Sequence, residues 1–434
     1  MTIPSVSSSQ LSALMRQHGH AGWGQACVEH GKSFLSGGTL YTCDPALVRT
    51  VLLERVHTEK RSRVYQFLRN LPGADGVLFR DGESWLRQTR AVQPAFKASQ
   101  LSSHAAWMHA HTVQHLRALS DGTPRADLYR DMVELGVNTV LHVGYGLRVD
   151  EPAVCRYARQ LLDYKSHTMN QDPRRRLDLL GMGLEKLLHL PMLLHNYWEE
   201  SRMVRRMRDT VATLRDAGAP DRPGWMRDIA GADFGLPEAT DALNHIYGAF
   251  NAIDYVVTCA LHELARRPAW QQRLRDEVTR VLGEAGPVHD DLGRLPDVQR
   301  FFLEVLRRYP VAMAVLRRAG AAFEHDGQTF PAAQEVALML YALHHHPDFW
   351  DRPDEFDPDR WATPQPREPF SFVPFLHGPR KCTGQQLAEL HFLVVICAVV
   401  RHVELTVDAP LLRTPYAIPR IAQVLPYRMR VLAA

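Results

Sequence analysis

The chain has 434 residues, of which 45% are hydrophobic and 23% charged, and its formal net charge is +3. That composition excludes a disordered or fibrous chain and is too weakly basic to argue for nucleic acid. The six cysteines (27, 43, 155, 259, 382 and 397) include no Cys-x-x-Cys pair, which excludes a disulfide scaffold or zinc site and suits a reducing compartment. The N-terminus lacks a basic region followed by an apolar core, so no signal peptide is expected. No run approaches the ~18 apolar residues that span a bilayer, so no transmembrane anchor is expected either.

In chain order, Thr39–Cys43 reads as a strand, and from about Glu83 to Arg420 the pattern is mainly helical. Val133–Leu147 and Leu177–Leu190 carry apolar residues at helical spacing. Asp172–Arg176 and Gly218–Gly224, rich in Asp, Pro, Gly and charge, read as loops. Thr240 to Arg267 contains no proline, enough for a helix of about 42 Å that Pro268 stops. Glu324-His-Asp-Gly327 signals a hairpin, and Val336–Leu340, Val403–Val407 and Val424–Val431 read as strands. The expected architecture is one domain over 1–434, mainly α, with β-rich portions near 35–60, 315–342 and 403–431.

Chemistry concentrates in Phe375-Leu-His-Gly378-Pro-Arg380-Lys-Cys382-Thr-Gly384. A cysteine thiolate is a strong, soft iron ligand. Gly378 and Gly384 let backbone pass close to a flat macrocycle. Arg380 offers a charged fork suited to a carboxylate, and Phe375 can shield the sulfur. A lone cysteine near a glycine-rich turn is otherwise a buried structural residue. Upstream, Glu304 and Arg307 stand one helical turn apart between apolar neighbours, and Phe356-Asp-Pro-Asp-Arg360-Trp361 follows.

These motifs resemble the cytochromes P-450, the heme-thiolate monooxygenases, whose heme loop reads Phe-x-x-Gly-x-Arg-x-Cys-x-Gly. The resemblance covers roughly residues 80–400 and implies the triangular-prism fold with a long central helix over the heme. It implies heme b (iron protoporphyrin IX) with Cys382 as axial iron ligand. It also implies a structural network of Glu304, Arg307 and Arg360. Propionate partners would be Arg380, Arg317 (or Arg318, if the register slips by one), Trp85 and, less directly, Arg90. The family helix Trp-x-x-x-Arg has Thr89 at its arginine position here, and Arg90 is rotated about 100° from it on a helix.

The long helix departs further from the family pattern. Where the family carries Asp/Glu-Thr to deliver protons during O–O cleavage, this chain has Asn251-Ala252. An amide does not shuttle protons as an acid does, and alanine donates nothing. Three readings stay open. The enzyme is a monooxygenase in which substrate hydroxyls, ordered water or Asp254 feed protons. Alternatively it rearranges or uses peroxides with no redox partner, since Phe-Asn-Ala resembles allene oxide synthases, hydroperoxide lyases and prostacyclin synthase. Or Asn251 is only a helix-kink residue. A non-enzymatic heme sensor is the alternative of another class. The expectation carried forward is a soluble, cytoplasmic, monomeric enzyme of bacterial type. It acts on a largely hydrophobic, secondary-metabolite or lipid-like molecule, with a ferredoxin or flavodoxin as electron donor. The apolar stretch Leu177–Leu194 lies where the family places its mobile lid. His344-His-His346 before Pro347 is assigned a structural use rather than a metal site.

Overall fold

The computed structural model describes residues 3–18, 21–53, 80–143, 252–363, 368–411 and 424–432 continuously, with scattered positions at 77, 146–147, 152–160, 198–212 and 421. The chain divides into two compact units. The first comprises Met1–Val64, Ala98–Met132 and Ala252–Ala434; the second comprises Tyr65–Lys97 and Val133–Asn251. The expected helix Leu177–Leu190 with its lid, the loops Asp172–Arg176 and Gly218–Gly224, and Asn251 lie outside the described residues.

The first unit opens with α1 (Ser8–His18), α2 (Gly22–His30), β1 (Ser33–Ser36), β2 (Thr39–Thr42) and α3 (Pro45–Leu53). The second contributes α4 (Gly82–Val92). The first resumes with α5 (Ala98–Leu119) and β3 (Asp121–Arg125), after which α6 (Leu128–Val143) runs on into the second. Helix α7 is described over residues 252–265. Then follow α8 (Pro268–Leu282), α9 (Pro296–Arg308), β4 (Val315–Arg318), β5 (Phe323–His325), β6 (Gln328–Phe330), β7 (Glu335–Leu338), α10 (Leu340–His345), α11 (Gln385–His402), β8 (Val403–Val407) and β9 (Tyr427–Val431). The described structure is mainly helical with a smaller β part.

Local chemistry explains these boundaries. Pro268 removes an amide donor and pushes Arg267 out of the helical region, to φ −133° and ψ 75°, so α7 stops and α8 starts on the proline. Asp127 accepts the Tyr129 amide at 3.2 Å and starts α6 at Leu128, five residues before the apolar periodicity is legible. Residues 45–53, inside the portion near 35–60 expected to be β-rich, form the helix α3 instead, with Asp44 accepting the Ala46 amide at 2.9 Å. The hairpin turn lies at Asp326 and Gly327, both left-handed (φ 49° and 74°), as a two-residue β5–β6 connection requires.

One sheet runs β1-β2-β7-β4, with β2 and β7 parallel and the other pairs antiparallel. A second runs β3-β9-β8. The four-stranded sheet buries Phe34, Leu40, Val336 and Leu338 against Val48 and Val51 of α3. Helix α11 is apolar on every side, with Leu390 to Val400 all buried, which marks a helix packed within a protein rather than on its surface.

Candidate functional site

The Cys382 loop is set by backbone bonds before any side chain acts. The Cys382 amide donates to the Phe375 carbonyl at 2.9 Å and the Lys381 amide to Gly378 at 3.1 Å, closing a 3-10 turn over Gly378–Arg380. Leu376 and Gly378 are both left-handed, at φ 58° and 76°. A Cβ at Gly378 would stand 1.9 Å from the Leu52 carbonyl oxygen, so only glycine lets the turn lie on the end of α3. Phe375 is half-buried and its ring lies 6.5 Å from that of Phe302 on α9, which meets Phe392 of α11 at 4.4 Å. The loop is therefore clamped between α3, α9 and α11.

Cys382 is a free thiol, reachable by solvent yet crowded by protein. Burial of the sulfur pushes its pKa up, and a hydrogen bond from the Gly384 amide opposes that. Gly384 is the N-cap residue of α11, two positions after Cys382. A group that binds the thiolate directly would tip this balance toward the deprotonated form.

Behind the loop, Glu304 and Arg307 of α9 are both 0% exposed. Arg307 Nε and Nη2 donate to the two Glu304 oxygens at 2.9 and 2.8 Å, a bidentate pair. Arg307 also donates to the carbonyls of His344, Pro353 and Glu355. Arg360 Nε reaches Glu304 at 3.2 Å and its other nitrogens bind the carbonyls of Asp351, Arg352 and Glu355. One carboxylate and two guanidinium groups thus gather the segment 344–360 onto α9.

The sequence did not single out several members of this network. Trp361 donates its indole N–H to Glu304 at 2.9 Å and the Asp357 amide donates at 2.9 Å, so Glu304 accepts from four partners. Trp350 is buried under the Arg307 guanidinium, 5.4 Å from its ring centre. The position of Trp361 beside Arg360 was its sequence signal. His344 is fully buried and accepts the Val373 amide on Nε2 at 3.1 Å, tying α10 to the start of the cysteine loop. Burial, assisted by the Arg307 charge, holds its pKa down to about 3, so it is neutral at pH 7.

The remaining site residues fall as follows. In β4 the strand alternation buries Arg317, 2% exposed, and turns Arg318 to the other face. Arg317 donates to the Leu316 carbonyl at 3.0 Å. Arg380 is half-buried in the 3-10 turn. In the second unit, Trp85 and Thr89 are half-buried on α4 while Arg90 is exposed. On α7, Ala252 is half-buried and Asp254 is 1% exposed. The Thr258 hydroxyl donates to the Asp254 carbonyl at 2.7 Å within that helix. Asp254 thus lies on the buried side of the helix, one turn before Thr258.

The family profile for cytochrome P450 matches residues 242–415, a span that holds the α7 segment, the Glu304 network and the cysteine loop. Over that span the chain matches the cytochrome P450 family. A fruit-fly relative named probable cytochrome P450 4d20 is 27% identical over 428 residues, covering 88% of this chain and 82% of that protein. Cyclooctatin synthase from Streptomyces melanosporofaciens is 26% identical over 82% of this chain and 78% of its own length. Rat cytochrome P450 4A10 is 35% identical, but over 38% of this chain and 32% of its own length. Cytochromes P450 are monooxygenases that bind heme through a cysteine thiolate. The donor set here fits that group. An accessible thiol sits in a loop closed by backbone bonds, and two arginines, one buried and one half-buried, offer cationic forks.

Proposed function

We propose that this chain is a monooxygenase that inserts one oxygen atom of O2 into a largely hydrophobic small molecule, secondary-metabolite or lipid-like, using electrons from a ferredoxin- or flavodoxin-type carrier. The observation that carries the reading is the Cys382 loop, its turn closed over Gly378 and its Cys382 amide bonded to the Phe375 carbonyl. Heme b, when bound, would supply the oxygen-activating chemistry, and the Cys382 thiolate would hold its iron.

Each protein group then has a defined task. Arg317 and Arg380 pair with the propionates, joined by Trp85 through its indole N–H; Arg90, exposed on α4, is the weaker partner. Phe375 shields the sulfur from water. Glu304, Arg307 and Arg360 hold the segment behind the loop and take no part in bond changes. Asn251 would orient the oxidant or substrate by hydrogen bonding. Ala252 carries no hydroxyl, so the hydroxyl of the substrate or a water molecule must donate in its place. Asp254, buried one turn before Thr258, is the acid that relays protons along α7. We place the protein in the cytoplasm as a soluble, single-domain monomer of bacterial type; among the described residues no helix is long and apolar enough to cross a membrane.

The test supplies purified holoenzyme either with reductase, ferredoxin and heavy-isotope O2, or with a fatty-acid hydroperoxide alone. One heavy oxygen atom in the product of the first assay is the expected result. Turnover of the hydroperoxide without electrons, with none in the reductase assay, overturns the reading.

A further inference from the structure

Three side chains that the heme reading leaves unused meet where the β5–β6 hairpin reaches the start of α3. His325 ends β5, Asp326 is the left-handed residue of the turn (φ 49°), and Asp44 immediately precedes α3. Asp44 divides its oxygens: Oδ1 accepts the Ala46 amide at 2.9 Å, and Oδ2 faces His325. His325 Nε2 stands among three oxygens, Ser33 Oγ at 3.3 Å, Asp44 Oδ2 at 3.4 Å and Asp326 Oδ2 at 3.6 Å. All three separations exceed the about 2.9 Å of a good N–H···O bond, yet the His325 side chain is only 9% exposed. The Ser33 hydroxyl has a closer partner in Thr42, at 2.8 Å. The ligand atoms of Asp44, His325 and Asp326 all lie within 4.8 Å of one another. Among the described residues neither carboxylate pairs with a lysine or arginine; Lys32, whose charge reaches Asp44, is bound to Asp348 at 2.9 Å.

We propose that Asp44, His325 and Asp326 bind one divalent transition-metal ion of the zinc class, which clips the hairpin to the start of α3. A patch of acids alone would not argue for this. The deciding feature is an imidazole nitrogen, nine-tenths buried, that has only long contacts and sits between two carboxylates without a basic partner. Donor atoms bound at ~2.0–2.2 Å in a tetrahedral zinc site stand about 3.3–3.6 Å apart, and that is the spacing of the oxygens around Nε2. One nitrogen with carboxylate oxygens suits zinc and its neighbours, whereas magnesium and calcium take oxygen ligands. The Ala46 amide holds the Asp44 carboxylate from behind, as metal-ligating side chains are generally held. No cysteine takes part, so the site differs in kind from the sulfur sites that the cysteine spacing excludes. Near its other end α3 carries the Leu52 carbonyl against which Gly378 seats, so the ion steadies the helix that backs the cysteine loop.

The experiment titrates chelator-treated holoenzyme with Zn²⁺ alone by isothermal calorimetry and follows thermal unfolding with and without the ion. Wild type is expected to bind one equivalent and to unfold at a higher Tm when loaded, because the ion binds the folded chain. Asp326→Asn, Asp44→Asn and His325→Gln each remove one ligand. Asparagine tolerates the left-handed backbone at 326, where the side chain is 57% exposed, and keeps an oxygen for the Ala46 amide at 44. Each variant is expected to fold by circular dichroism, to bind Zn²⁺ about tenfold more weakly or worse, and to lose the gain in Tm. Excess Mg²⁺ is expected not to displace Zn²⁺ from wild type. No binding by wild type overturns the proposal. Binding that all three variants retain also overturns it, since the ion then sits elsewhere, and displacement by Mg²⁺ overturns the zinc-class assignment. None of these outcomes depends on the assignment of Cys382.

Discussion

Glu304 shows how one buried carboxylate can organise a region. It accepts from Arg307, Arg360, Trp361 and the Asp357 amide, at zero exposure. Such a pair adds little when compared with well-packed apolar residues, but removing one partner strands the other charge in a low-dielectric interior. Arg307→Ala is therefore expected to cost about 3–5 kcal/mol in chemical denaturation, and Arg307→Lys to recover only part, because an ammonium cannot form the bidentate fork. Of this site the sequence made the Glu304–Arg307 spacing and Arg360 legible. Trp361 was not, because an indole N–H becomes informative only once the fold buries it beside an unsatisfied partner; His344 was read as structural, but its bond to the Val373 amide was not legible.

His344 also carries a pH prediction. Its folded pKa is lowered to about 3, by burial first and the Arg307 charge second, from an ordinary value of 6.5. A lowered histidine leaves the unfolded chain binding more protons, so this contribution to stability is complete above pH 6.5 and is lost progressively as pH falls toward 3. His391 and His111, both lowered to about 4 chiefly by burial, act in the same direction. Stability measured by denaturant unfolding should therefore fall between pH 6.5 and 4, and His344→Asn should show a shallower slope over that window, with a lower plateau at pH 7.

At the scale of elements, the turn over Gly378 is the tightest constraint. The Leu52 carbonyl occupies the place of a Cβ, and the left-handed φ adds strain for any other residue. Gly378→Ala should fail to seat the loop and lose most heme during purification, read as the ratio of heme to protein absorbance. Gly327→Ala, equally left-handed but with open space around it, should cost only about 1 kcal/mol and leave heme content unchanged. The hairpin and the stop at Pro268 were legible because proline and left-handed glycine act locally. β3 was not: Asp121–Arg125 has no apolar alternation and becomes a strand by pairing with β9, some three hundred residues later. α3 likewise forms where the sequence placed β structure, because Asp44 caps its first turn and its apolar face packs on the four-stranded sheet.

For the whole molecule, the two faces of the heme differ in how far sequence reaches. The cysteine side rests on local backbone geometry, so a ten-residue motif foretold it. Asn251 and Ala252 stand where the family carries an acid and a threonine, and residue identity alone does not fix how protons would be delivered. Asp254→Asn should slow turnover with O2 by about 10²-fold or more if it is the proton source, while leaving the heme spectrum intact.

The most direct test of the account is the ferrous carbon monoxide difference spectrum of wild type and Cys382→Ser. The account predicts a Soret band at the thiolate position in wild type and its loss in the variant, with the protein still folded by circular dichroism. A thiolate band that survives the substitution, or wild-type protein that binds heme without one, would contradict it.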